Sequence, residues 1–137
     1  MYGEENELNR LAIYLVMDYY LRKYSLVKHN KKHFTLSNGL KYRIKYVYGE
    51  YWFLRYHSLF NRGNVGLNKD DCDYYIFICC INSRMLYRHD FKFFLIKTDS
   101  IIDMIIQKQY ITDSKRFFSC KYKFNINNII NSSKLLL

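Results

Sequence analysis

Three cations recur at every second position of one short segment: Lys41, Arg43 and Lys45. Tyr42, Ile44, Tyr46 and Tyr48 alternate with them, so an extended backbone sends the cations to one face and the apolar side chains to the other. Ammonium and guanidinium groups neutralise phosphates, and aromatic rings stack on unpaired bases, so such a face suits nucleic acid. A turn at Gly49-Glu50, joining this segment to Tyr51–Leu59, sets Arg43 opposite Tyr56 and Lys45 opposite Leu54, with Trp52 on the same face. The run Lys28-His29-Asn30-Lys31-Lys32-His33 adds Lys28, Lys31 and Lys32 as phosphate contacts. His29 and His33 become metal ligands only where another element supplies carboxylates or thiols, and solvated histidines beside phosphates are the simpler reading. The alternative for the whole array is a solvated strand face with snorkelling lysines.

Charge is unevenly distributed. The chain carries 22 Lys and Arg against 12 Asp and Glu, a net charge of +10. Residues 26–69 hold nine cations against Glu50 alone, and residues 114–137 hold five against no acid. That concentration points to a polyanionic partner, nucleic acid before an anionic membrane surface. No apolar run approaches the ~20 residues of a membrane-spanning helix, so no membrane insertion is expected. The acidic N-terminus, Met1-Tyr2-Gly3-Glu4-Glu5, resembles neither a signal nor a transit peptide.

The four cysteines, Cys72, Cys79, Cys80 and Cys120, form no CxxC pair. Free, mostly buried thiols in a reducing intracellular compartment follow, with no structural metal. The glycines of residues 60–71 precede no Lys-Ser pair and open no helix, so they make no phosphate loop. Proline is absent and Ala12 is the only alanine, whereas Tyr, Phe, Lys, Asn and Ile abound. These abundant residues have A/T-rich codons, which points to an AT-rich organelle, virus, mobile element or low-GC microbe.

The elements that must position these groups follow from periodicity. Leu8, Leu11, Ala12, Leu15, Val16 and Tyr19 recur at helical spacing and predict an amphipathic helix over about residues 5–24. Glu4, Glu5 and Glu7 favour its start, and Arg22 and Lys23 its end. Asn38-Gly39 between two alternating segments predicts a two-residue hairpin turn, and with Gly49-Glu50 a three-stranded meander. Asp73–Ile81 is apolar on both alternations, as in a strand buried on both faces. Phe91–Lys97 reads as a strand, followed by a short helix capped by Thr98 or Ser100, with Arg116–Phe124 as a final strand. One domain over residues 1–137 is expected, its core about 4–124, with 125–137 a weak helix or tail. The fold class is α+β, an N-terminal helix packed on a mixed β-sheet.

This order of elements resembles the PD-(D/E)xK nuclease superfamily, especially its small intron-type homing endonucleases, over about residues 4–106. The resemblance rests on Tyr42-Arg43-Ile44-Lys45, Tyr51-Trp52-Phe53-Leu54 and Asp73-Tyr74-Tyr75-Ile76-Phe77. It implies a restriction-endonuclease-like sandwich and, in active members, Mg²⁺-dependent DNA cleavage. Lys45 matches the family lysine that helps activate the attacking water, and Glu4, Glu5 or Glu7 the helix-one acid. Arg43, however, stands where the metal-binding carboxylate belongs, and a cation there repels Mg²⁺. His33 or Thr35 lies near the position of the other carboxylate. The expectation is a noncatalytic nucleic-acid-binding domain, for DNA or RNA, without a cofactor; Mg²⁺ and Lys45 would matter only in a functional nuclease site. Two alternatives remain open: a basic subunit of a ribonucleoprotein such as an organellar ribosome, with neighbouring proteins as partners, and a small viral or mobile-element protein acting on a host nucleic-acid-binding complex.

Overall fold

The computed structural model describes residues 2–55, 72–80, 91–107, 112–116 and 119–137. The chain opens with helix α1 (Tyr2–Tyr19), then strands β1 (Leu26–Asn30), β2 (His33–Leu36), β3 (Lys41–Tyr48) and β4 (Tyr51–Arg55). Strands β5 (Tyr74–Cys80) and β6 (Phe91–Lys97) lead into α2 (Thr98–Ile106). The last elements are β7 (Thr112–Arg116), β8 (Ser119–Asn125), α3 (Ile126–Asn131) and β9 (Lys134–Leu135). A six-stranded sheet runs in the order β1-β2-β3-β5-β6-β9, and a three-stranded sheet in the order β4-β8-β7. The fold is α+β, as the sequence predicts.

Strand β5 lies at the centre of the larger sheet, parallel to β3 and antiparallel to β6. Its residues from Tyr75 to Cys80 are all buried, which its double apolar alternation requires. Ile76, Ile78 and Cys80 meet α1 through Leu8, Ala12, Ile13 and Val16 on one face. Ala12, a bare methyl at this position, is fully buried. On the other face, Tyr75, Phe77 and Cys79 meet Trp52 and Phe124 of the small sheet together with Ile101 and Met104 of α2. Thus the small sheet and α2 cover one face of β5 while α1 covers the other.

The predicted meander is only partly formed. β2 and β3 are antiparallel neighbours, pairing Phe34 with Tyr42. Their connection is a three-residue loop rather than a two-residue one: Gly39 N–H donates to Leu36 O at 3.0 Å, and Gly39 adopts φ +82°. β4 does not return along β3 at all. It pairs with β8, Tyr51 opposite Asn125 through Arg55 opposite Lys121, so the expected register of Lys45 with Leu54 and Arg43 with Tyr56 is overturned. The other edge of β3 goes instead to β5, whose side chains from Tyr75 to Cys80 are all buried in that central, doubly covered position. Trp52, expected among the cations, is 7% exposed and packs edge-on to Phe77 at 4.8 Å between ring centres.

Three boundaries also differ. α1 stops at Tyr19, five residues before the predicted end, because the chain closes a C-terminal cap there. Arg22 N–H donates to Met17 O and Leu21 N–H to Asp18 O, both at 2.9 Å, the paired bonds of a Schellman cap. Leu21 occupies the left-handed position of that cap at φ +55°, where glycine is usual. At α2 the N-cap is Lys97, not Thr98 or Ser100; the Thr98 hydroxyl is buried 3.6 Å from Cys72 Sγ. Residues 125–137 are part of the fold: Ile129 is fully buried, Asn125 caps α3 by accepting from Asn127 N–H at 2.9 Å, and Leu136 N–H donates to Phe93 O at 2.7 Å. Among the described residues no helix is long and apolar enough to cross a membrane.

Two stability outcomes follow. Leu21 is 84% exposed, so Leu21→Gly removes left-handed strain without losing packing and raises stability by about 1 kcal/mol in a denaturant titration. Ile129→Ala costs about 2–5 kcal/mol in the same measurement, as expected for a core position and not for a tail.

Candidate nucleic-acid interface

Strand register brings together most of the predicted cations. On β3, Tyr42 and Ile44 are buried toward α1, so Lys41, Arg43 and Lys45 project from the opposite face at intervals of about 7 Å. β2 places Thr35 opposite Lys41 and His33 opposite Arg43, and β1 places Lys28 opposite Thr35 and Asn30 opposite His33. Lys28, His33, Lys41, Arg43 and Lys45 therefore share one face over three adjacent strands. Lys28 and Lys41 are exposed, whereas Arg43 and Lys45 are half-buried where the face meets the aromatic cluster around Trp52. The Arg43 guanidinium donates to His33 Nε2, so that imidazole carries its proton on Nδ1. Residues 26–49 contain no Asp or Glu.

The other predicted residues lie elsewhere. Lys31 is at the tip of the β1–β2 hairpin with φ +46°. Lys32 projects from the helix-covered face, its Nζ 5.0 Å from the ring centre of Tyr46, whose hydroxyl donates to Asn9 of α1. Tyr56 and the proposed strand continuation beyond Arg55 lie outside the described residues. On the small sheet, Lys123 Nζ stands 4.2 Å over the Tyr51 ring, a second cation–aromatic pair.

Sequence reasoning missed strand β1, whose five residues are all exposed and show no alternation of polarity. It also missed Asp73. That carboxylate, at the start of β5, accepts from Lys41 N–H at 2.8 Å, while Asp73 N–H donates to Lys41 O at 2.8 Å. This exchange pins the first residue of the cationic row to the central strand. No periodicity reveals it, because it joins residues 32 positions apart.

Among the described residues no group of three or more His, Cys, Asp or Glu converges as a metal site would. Arg43 and Lys45, at the positions that the nuclease resemblance assigns to a metal ligand and a lysine, are both cationic.

Beneath the helix, burial raises the Tyr20 and Tyr42 hydroxyls above their ordinary range. Tyr42 accepts from Asn38 Nδ2 at 3.0 Å, donates to the Tyr20 hydroxyl at 3.1 Å, and stacks between Phe34 and Tyr74. Burial also pushes the Cys79 thiol up to about 12 from 9.0. No protein-family model, curated protein or solved structure matches the chain. The class that fold and site define is a basic α+β protein with a cationic half-sheet.

These buried acids ionise in the unfolded chain first, so the unfolded state binds fewer protons above about pH 9. Their stabilising effect is complete below that pH and is lost as pH rises toward 12. Denaturant titrations should show stability falling across this window, with a shallower fall in Cys79→Val. At pH 8, Cys79 should resist alkylation in the folded protein and react once guanidinium unfolds it, as read by peptide mass mapping.

Proposed function

We propose that this protein binds nucleic acid through the β1–β2–β3 face, as a noncatalytic domain. The observation that carries the reading is the shared face of Lys28, Lys41, Arg43 and Lys45, in a stretch without carboxylates beside an aromatic core. Exposed lysines at the rim supply phosphate contacts, and the Arg43 fork, oriented by His33, supplies a directional one. Lys31 at the hairpin tip extends the row toward a longer strand. The resemblance to PD-(D/E)xK nucleases is in keeping with this reading, with Lys45 at the position of the family lysine and Arg43 in place of a metal ligand.

Exposed Tyr14, Tyr48, Leu26 and Val27 favour a second reading, in which the domain binds RNA within an assembly and neighbouring proteins cover these side chains. Duplex DNA, single strands and structured RNA as probes distinguish the two. In a native-gel titration at two salt concentrations, Arg43→Glu with Lys45→Glu should weaken binding by ~10-fold or more and flatten the salt dependence. Lys28→Glu with Lys41→Glu, at exposed positions that leave the core intact, should do the same. Lys23→Glu, in the segment between α1 and β1, should change affinity little. Unchanged affinity in both double variants defeats the assignment of this face. Mg²⁺-dependent cleavage that disappears in Lys45→Ala defeats its noncatalytic character.

A further inference from the structure

A cleft of about 470 Å³ opens on the helix-covered side of the large sheet, away from the β3 cations. Tyr19 and Tyr20, from the end of α1, and Tyr74, from the start of β5, line one part of it. Lys97, the last residue of β6, and Lys134, the first of β9, line another. The register accounts for this combination. Tyr74 is the direct partner of Lys97, and Lys134 is the direct partner of Leu95. Lys97 and Lys134 are therefore diagonal neighbours on one face, their stems about 7–8 Å apart.

The electrostatics of the cleft are one-signed. Its lining contains no carboxylate, and among the described residues neither lysine has an ion-pair partner. Two ammonium groups at that separation repel, and a doubly charged anion between them relieves the repulsion. Ser100 and Ser132 stand in the same lining with hydroxyls able to donate, whereas Ser133 already donates to Ile130 O at 2.8 Å. An adjoining recess of about 230 Å³ shares Ser100 and Ser132 and carries Asp103, so the anion is favoured on the lysine side. Tyr19 and Tyr20 meet edge-to-face at 5.0 Å between ring centres, and Tyr19 is nearly half exposed. Its ring is available for stacking, and the cleft volume is within the range of small-ligand sites.

We propose that this cleft binds a nucleoside monophosphate, with the phosphate between Lys97 and Lys134 and the base against the tyrosine rings. The same chemistry occurs in a free mononucleotide and in the phosphorylated end of a strand. The inference does not require the β3 face to bind nucleic acid, because the two sites lie on opposite faces of the sheet.

Isothermal titration of the full chain with AMP, adenosine and inorganic phosphate tests it. AMP should bind at least about tenfold tighter than either fragment, because both halves of the cleft are then used. Lys97→Ala with Lys134→Ala should abolish that gain, Lys97→Arg with Lys134→Arg should keep it, and Arg43→Glu with Lys45→Glu should leave it unchanged. Both lysines are exposed, and circular dichroism verifies that the variants fold. AMP binding no tighter than phosphate, or binding indifferent to the alanine pair, overturns the proposal. If a 5′-phosphorylated oligonucleotide binds tighter than its 5′-hydroxyl form, and the alanine pair removes the difference, the ligand is a strand end. AMP binding without that difference identifies a free mononucleotide.

Discussion

The rest of the molecule depends on burying both faces of β5. A strand whose every side chain from Tyr75 to Cys80 leaves water needs a paired neighbour on each edge and a covering layer on each face. β3 and β6 supply the edges, the first parallel and the second antiparallel. α1 covers one face, while Trp52, Phe124 and α2 cover the other. The two hydrophobic clusters that result are separated by the sheet itself. Nearly every long-range feature of the fold, including the departure of β4 to a second sheet, serves one of these four demands.

The cationic row on β3 is a consequence of the same arrangement. β3 is one strand away from the doubly covered centre, so Tyr42 and Ile44 are buried beneath α1 while Lys41, Arg43 and Lys45 emerge on the other face where the second layer runs out. Val47 still lies in the Trp52 cluster, Arg43 and Lys45 are half-buried, and Lys41 is exposed. Burial thus grades along a single strand. Asp73 binds the open end of that gradient to β5 through two backbone-directed hydrogen bonds with Lys41. β1 and β2, beyond β3, extend the uncovered face and bring Lys28 into line.

Closure at the C-terminus has an equally local cause. β6 would present an open edge, but the chain after α3 returns along it, with Lys134 opposite Leu95 and Leu136 and Leu137 bonded to the backbone of Phe93. This short pairing protects an apolar strand from edge-to-edge association. Residues 125–137 read as a weak helix or tail; the helical part is α3, and the role of the residues after it is set by main-chain hydrogen bonding, to which side-chain pattern is almost blind.

Local pattern in the sequence was sufficient for the helix stripe of Leu8, Ala12 and Val16, the turn glycine Gly39, the doubly apolar β5, the β6 strand and the one-sided row Lys41-Arg43-Lys45. Each depends on a period of 3.6 or 2, or on a backbone angle only glycine adopts freely. The sequence could not decide which strands become neighbours. Gly49-Glu50 permits a hairpin, yet the core gains more by giving the edge of β3 to β5, and that choice compares burial across the whole chain. The early stop of α1 at Tyr19, with Leu21 in the left-handed cap position, likewise sets a cap and tertiary packing against a continuing amphipathic pattern. The placement of Lys28 with Lys41, of Lys32 on the opposite face, and of Lys97 beside Lys134 was decided only by register. A shift of one residue in any strand would have sent those charges to the other side of the sheet.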